Sequence, residues 1–467
     1  MSAPDSSVEV TEVIDSAGYL RLPIGIALVS ILIMLIDGYD LQTMSFVAPA
    51  LVADWHVARA DLGWVLNGSL IGMAFGSIGL GRLGDTIGRR NAYVVCLVFL
   101  CAGSLLSAHA HNLDQLLAFR VITGIGLGGA TPLATTFIAE WAPRRIRSIA
   151  VACVVVAVPL GGMLGAMIAK RVMPEFGWRA IFWIGAALPL LFFVLAVTLL
   201  PESPKFLAQS PARSRQLAAA LNRLLREPRF DGSERFHIAE AAAPSRHWLS
   251  VILSRQYLHT TLLLWGAFTF NTVGLYSFAN WLPTLLTAAG FSQAAALDEL
   301  KYFNFGGFFG AVGGAILIGR YGSRIVGTSL ALLGVVATLL IGVALTLPSS
   351  PAIQLSLLVV VAGAALSGMQ SFVYAVGANS YATYVRGAGV GCAQTISRVG
   401  GILGGFAAAA FFALRPQPPV GVFFYAVATL GVAVAVSYGL LRTHIRANSS
   451  EPGGAQALRV AATQDGA

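Results

Sequence analysis

Charge is scarce in this chain. Of its 467 residues only 11% are Asp, Glu, Lys or Arg, while 56% are hydrophobic. Soluble domains carry about 25% charged residues, so a water-soluble globular fold is excluded. Cysteine is rare as well: Cys96, Cys101, Cys153 and Cys392 all fall in apolar runs, without CxxC spacing. That pattern suggests neither a disulfide framework nor a zinc site, and the four read as small packing residues. There is no HExxH, no P-loop and no paired histidine cluster, and the seven histidines lie in loops or near the ends of apolar runs. A membrane enzyme is therefore disfavoured, and neither cofactor nor metal is expected. A basic leader is missing too. The first 20 residues carry Asp5, Glu9, Glu12 and Asp15, so the first apolar run is expected to stay as an anchor.

Apolar sequence is what abounds. Runs of about 20 residues recur, as a polytopic membrane protein requires. Twelve spans are expected, with cores near 24–52, 62–81, 91–109, 115–140, 149–169, 179–200, 257–288, 301–319, 325–347, 353–379, 388–412 and 419–441. The long polar gap 201–256 is rich in arginine, and residues 214–226 within it have helical periodicity. The expected organisation is an N-terminal tail 1–22, a six-helix bundle 23–200, a central loop 201–256, a second bundle 257–441 and a C-terminal tail 442–467.

The net charge of +9 is explained by topology better than by a nucleic-acid partner. With the N-terminus inside, the inner segments hold 22 of the 30 Lys and Arg, the outer loops six, and Arg120 and Arg398 fall within spans. This asymmetry places both termini in the cytoplasm. Lys170, Arg171 and Arg179 form one outer cluster against the trend. An internal echo supports two related halves: "GDTIGRR" after span two and "IGRYGSR" after span eight align with Gly88 on Gly322. "EWAPRRIR" after span four is likewise echoed by "SYATYVR" after span ten. Two halves about a central cavity form a transporter layout.

Several motifs carry a family resemblance. "GRLGDTIGRR" (81–90) resembles the loop 2–3 signature of the major facilitator superfamily, and "RVITGIGLGGATP" (120–132) its fourth-span motif. "PESPKFL" (201–207) resembles the sixth-span exit of its sugar, organic-ion and aromatic-acid branches. "DGYD" (37–40) is similar to the DGxD motif of the aromatic acid:proton symporters, and "YATYVRGAGVGCAQTISRVGGILGG" (381–405) to their span ten–eleven pattern. The resemblance covers about 24–441. It implies an all-α membrane protein of twelve helices in two six-helix pseudo-symmetric bundles. It further implies proton-coupled import of an aromatic carboxylate, hydroxybenzoate- or benzoate-like, across a bacterial inner membrane; a monomer is expected. Other organic-anion or sugar-type carriers, and a transporter-like sensor, are the alternatives. The second-half echo departs from the family at Gly319 and Ser323, where aspartate and arginine are usual. "VPLGGMLG" (158–165) only partly matches the antiporter signature.

The polar residues within the spans then define the expected chemistry. Of 21 acids, Asp37 and Asp40 lie inside a span, Glu140 lies at the inner end of another, and none is expected deep in the second half. An Asp-Gly pair can mark a turn. But residues 24–36 span only about 20 Å, too short for a core of about 30 Å, so the helix must continue or break while lining a cavity. Intramembrane acids are functional by default, which makes Asp37 and Asp40 the expected proton-coupling groups. By residue count Arg120 lies at the depth of Asp40, and the implied packing of spans one and four makes it the partner of Asp40 or Asp37, unless it snorkels outward. Arg398 falls near the membrane midplane. An unpaired guanidinium there is costly, and a substrate carboxylate would satisfy it through two hydrogen bonds; contacts to backbone carbonyls or to Asp37 are the alternative. Asn271, Tyr276, Trp281, Gln370, Tyr374 and Gln394 are expected around it, with Trp281 also fitting an interfacial belt. A gate is expected from Gly81, Gly84, Asp85, Gly88, Arg89 and Arg90, with Glu140, Arg144, Arg147 and Arg386 as the companion cluster.

Overall fold

The computed structural model describes residues 7–18, 21–238, 248–346, 352–381 and 383–445. Twelve long apolar helices dominate it, each able to cross a membrane by length and composition. In chain order these are α1 (Arg21–Trp55), α2 (Leu62–Thr86), α3 (Arg89–Ala108), α4 (Leu113–Trp141), α5 (Arg144–Phe176) and α6 (Arg179–Leu199), then α7 (Leu258–Ala288), α8 (Gln293–Tyr321), α9 (Ser323–Thr346), α10 (Ala352–Ser380), α11 (Thr383–Ala413) and α12 (Gly421–Gly439). A helix satisfies its backbone groups within its own segment, as a span without water requires. The Asp-Gly pair does not end α1, which runs unbroken through Gly38.

Packing repeats between the first six helices and the last six. α2 lies on α4, α1 on α5 and α3 on α6; the same partners recur as α8 on α10, α7 on α11 and α9 on α12. The echo aligned in sequence has a structural counterpart, because Gly88 and Gly322 both sit at helix junctions with positive φ, +98° and +80°. Only glycine adopts such backbone without strain. Between the two sixes, α5 packs on α8, α2 on α11 and α1 on α7.

Small residues set these distances. A Cβ on Gly38 would meet Val158 O of α5 at 1.9 Å, and one on Gly124 would meet Ser69 O of α2 at 2.2 Å. Close backbone approach is the common means of joining helices in lipid, where no hydrophobic force pulls them together.

The polar segments are more ordered than their composition suggests. Ser7–Glu9 pairs as a parallel strand with Arg235–His237 of the central segment. Helix Val10–Ser16 follows, and Val10, Val13 and Ile14 join Leu217, Leu221 and Leu224 of helix Ser214–Leu225 in one apolar cluster. This small module sits beneath the first six helices, on the face that carries the arginine-rich loops. That face is called the basic face below.

Candidate functional site

The centre of the first half is an ion pair. Arg120 on α4 donates from Nη1 to Asp40 Oδ1 at 3.1 Å and from Nη2 to Asp40 Oδ2 at 2.9 Å. The same Nη2 reaches Asp40 O at 2.9 Å and Ser69 Oγ at 2.8 Å, and Ser104 Oγ donates to Asp40 Oδ1 at 3.2 Å. Arg120 is 0% exposed and Asp40 1%, so Arg120 does not snorkel. Two parallel charge-assisted hydrogen bonds are the strongest form of this contact.

Asp37 is held differently. One turn nearer the basic face, its Oδ2 accepts from Thr131 Oγ1 of α4 at 2.8 Å. Its Oδ1 is buried with no hydrogen-bond partner among the described residues. Arg398 on α11 and Tyr276 on α7 lie within Coulombic range of it. No ion pair joins Asp37 to Arg398; the guanidinium instead donates from Nη1 to Met73 O of α2 at 3.4 Å, a long contact that crosses between the halves.

Around Arg398 the other expected residues divide. Asn271 donates to Gln370 Oε1 at 2.7 Å and to Leu366 O at 3.2 Å, which joins α7 to α10. Thr272, one position on, bonds Ser397 beside Arg398 at 2.5 Å. Tyr374 packs edge-on against Phe268 at 4.9 Å between centroids, and Tyr276 lies against Gly401 one turn along from Arg398. Gln394 is half-buried one turn before Arg398. Trp281 is elsewhere: it is 0% exposed, its indole donates to Gly405 O at 2.8 Å, and it packs on Phe412. It packs between α7 and α11, with its indole N–H satisfied inside the bundle rather than at an interface.

The residues expected to form the gate and its companion cluster are grouped differently from the expectation: Glu140 joins the Asp85–Arg89 pair, and Arg144 and Arg147 join Asp15. Arg89 pairs with Asp85 at 2.7 Å and approaches Glu140 at 3.6 Å, and Glu140 accepts from Ser203 Oγ. Arg90 N donates to Glu202 Oε1 at 3.0 Å, and the Arg90 guanidinium reaches Ala196 O and Val197 O at the end of α6. Gly88 leaves room for Glu202, whose Oε2 a Cβ there would meet at 2.3 Å; Gly84 faces Leu133 and Arg89, while Gly81 meets nothing. Arg144 and Arg147 do not join Glu140. Both bind Asp15 of the N-terminal segment, at 3.0 and 3.9 Å. Pro143 separates α4 from α5, and Arg144 points to solvent while Glu140 turns into the bundle. The Arg386 side chain lies outside the described residues.

Among the described residues, the matching corner of the second half is held by hydrogen bonds. Ser323 bonds Ile445 N and O at 2.8 and 2.9 Å and accepts from Tyr438 Oη through its carbonyl at 3.1 Å. Neutral hydrogen bonds thus stand where an arginine is usual in the family.

Three polar features escaped the sequence reading. Gln42 and Asn304 exchange reciprocal amide hydrogen bonds of 2.8 Å each, joining α1 to α8 deep in the bundle. Lys170 of α5 pairs with Asp298 of α8 at 2.5 Å, also across the halves. Glu299, 6% exposed, bonds Ser356 on α10 and keeps Oε2 unpartnered; the second half does bury an acid, because α8 begins eight residues before the expected core. Among the described residues, the hydrogen bonds that join the halves lie at mid-depth or toward the face opposite the basic one.

Comparison with known proteins places this architecture. The model of the Major Facilitator Superfamily matches residues 30–405. The 4-hydroxybenzoate transporter PcaK of Pseudomonas aeruginosa is 36% identical over 83% of this chain and 86% of its own length. The Acinetobacter baylyi protein of the same name is 33% identical over 85% and 87%. The gallate transporter of Pseudomonas putida is 33% identical over 88% and 90%. In fold, the chain is similar to the inward open xylose transporter XylE from E. coli, with a TM-score of 0.70 at 20% identity over 91% of this chain and 98% of that one. Twelve helices able to span a membrane, a family match across most of them and relatives above 30% identity over more than four fifths of the chain leave one conclusion: this chain is a multi-pass membrane protein and belongs to the Major Facilitator Superfamily of transporters.

Proposed function

We propose that the chain imports a small aromatic carboxylate together with at least one proton, by alternating access across a bacterial inner membrane, with both termini cytoplasmic. One observation carries this reading. Asp37 keeps an unpartnered buried oxygen, and Arg398 beside it has only a long contact to a backbone carbonyl. A carboxylate ligand offers the flat guanidinium two acceptors, a geometry that lysine does not reproduce. A proton on Asp37 removes the buried charge that would otherwise oppose that ligand. Proton and substrate anion together leave the site close to neutral, which favours their crossing as a pair.

Asp40 has the other role. Protonating it would break a bidentate pair and strand Arg120, fully buried, without a counter-charge. Removing one partner of such a pair costs about 3–5 kcal/mol. The Asp40–Arg120 pair therefore holds α1 against α4, while Asp37 exchanges the proton. Tyr276, Tyr374 and Gln370 provide ring and amide surface around Arg398, which suits the aromatic acids named for the relatives: 4-hydroxybenzoate, gallate and benzoate.

The halves are joined at mid-depth and on the face away from the basic loops, which supports a state open toward the basic face. Asp85, Arg89 and Glu140, with Gly84 and Gly88 at the turn, then brace the inner ends of α2 to α4 and rearrange when that face closes, a switch between two rigid packings. One chain supplies both halves of the site, so a monomer suffices.

The deciding experiment is uptake of labelled benzoate, hydroxybenzoates and dihydroxybenzoates by membrane vesicles under an imposed pH gradient. Accumulation that a protonophore abolishes is expected. Accumulation of a neutral sugar instead, or none of either, would sink the proposal.

A further inference from the structure

On the basic face a crevice of about 540 Å³ opens between the start of α1, the end of α6 and helix Ser214–Leu225. It is amphiphilic along its length. Arg21, Arg223 and Arg226 stand at its mouth, and Leu22, Ile26 and Val29 line its floor. Arg21 and Arg223 are exposed and have no acidic partner among the described residues. From Arg21 to Val29 the floor rises about 12 Å along the helix, from a charged end to an apolar one. Ile24, Leu28 and Leu32 lie on a separate, outward face of α1, exposed by 50%, 55% and 37%, and are not part of the crevice. Gly25, which also lines the crevice, has nothing within 4 Å of where its Cβ would stand.

A cluster of like charges above a greasy slot calls for one molecule that is anionic at one end and apolar at the other. We propose that this crevice is a binding site for an anionic phospholipid, its phosphate held by Arg21 and Arg223 and one acyl chain lying along Leu22, Ile26 and Val29. Basic pockets beside membrane helices suit such headgroups, each arginine near the surface adding about a kcal/mol's worth of attraction. The lipid would fasten the surface helix to α1, and so tie the central segment to the helix that carries Asp37 and Asp40.

The test is native mass spectrometry of the purified full chain with dioleoylphosphatidylglycerol, with dioleoylphosphatidylcholine and with inorganic phosphate. Wild type is expected to retain phosphatidylglycerol, to shed phosphatidylcholine and to lose no lipid to added phosphate. Arg21→Gln with Arg223→Gln should weaken retention roughly thirtyfold. Arg215→Gln with Arg255→Gln, which removes two exposed arginines outside the crevice, should leave it unchanged. Gly25→Trp should abolish retention by filling the slot while keeping both arginines. Equal retention of phosphatidylcholine, displacement by free phosphate, or the same loss in the Arg215/Arg255 variant would overturn the assignment, as would full retention by Gly25→Trp.

Discussion

Asp37 and Asp40 are three residues apart on one helix, yet their hydrogen-bond surroundings differ. Asp40 accepts hydrogen bonds from Arg120 on both oxygens and from Ser104, whereas Asp37 accepts one, from Thr131. Asp37→Asn is therefore expected to abolish accumulation driven by a pH gradient and to spare counterflow exchange. Both are read in the same vesicles, and driven accumulation at the wild-type level would show that the proton sits elsewhere. Asp40→Asn is expected to act on stability first, by about 3–5 kcal/mol, because it strands a buried guanidinium. Its signature is a lowered thermal midpoint, partly restored by adding Arg120→Gln. Arg398→Lys is expected to raise KM for the aromatic acid about tenfold or more, since the second parallel hydrogen bond is lost, with fold and thermal midpoint unchanged.

Helices in this protein meet where glycine allows it. Gly124 faces Ser69 so closely that any side chain must push α4 off α2, the closest-packed pair in the first half. Gly124→Val is expected to cost several kcal/mol as an overpacking and backbone-shift effect, and to be seen as loss of monodisperse protein on size exclusion. Gly81→Ala, in open space on the partner helix α2, should be tolerated. The contrast separates glycines that set helix distance from those that merely occur in the loop signature. Element ends teach a related point. The apolar run places the start of span eight near residue 301, but α8 begins at Gln293, since Ser292 Oγ caps it by accepting from Ala295 N. That shift of two turns is what hid Glu299 among loop acids.

Motion between the halves should be governed by few polar contacts. The Gln42–Asn304 amide pair and the Lys170–Asp298 ion pair close one face, and opening that face must break both. Asn304→Leu leaves the Gln42 amide buried and unsatisfied, a cost of about 1–3 kcal/mol to this state. A shift toward the opposite opening is expected, measured as increased labelling from the face opposite the basic one. A bifunctional maleimide bridging Lys170→Cys and Asp298→Cys is expected to stop uptake while leaving substrate binding from the other side intact. Continued turnover in the bridged protein would mean that this face does not open.

Span number, a two-half plan and the candidate polar residues were all readable from order along the chain. They rest on local quantities: run length against membrane thickness, charge asymmetry between loops, and the cost of any ion inside a span. Even the partnership of Arg120 with Asp40 could be approached by counting depth, once a family architecture placed their helices side by side. What counting could not supply is direction around each helix and contact between distant segments. Which aspartate the arginine takes, the isolation of Asp37 Oδ1, the inward turn of Trp281, the binding of Arg144 to Asp15 rather than Glu140, and the strand pairing of Ser7 with Arg235 all depend on side chains brought together from far apart. Those outcomes follow from how twelve helices share a limited interior, where each polar atom must find a partner or do without.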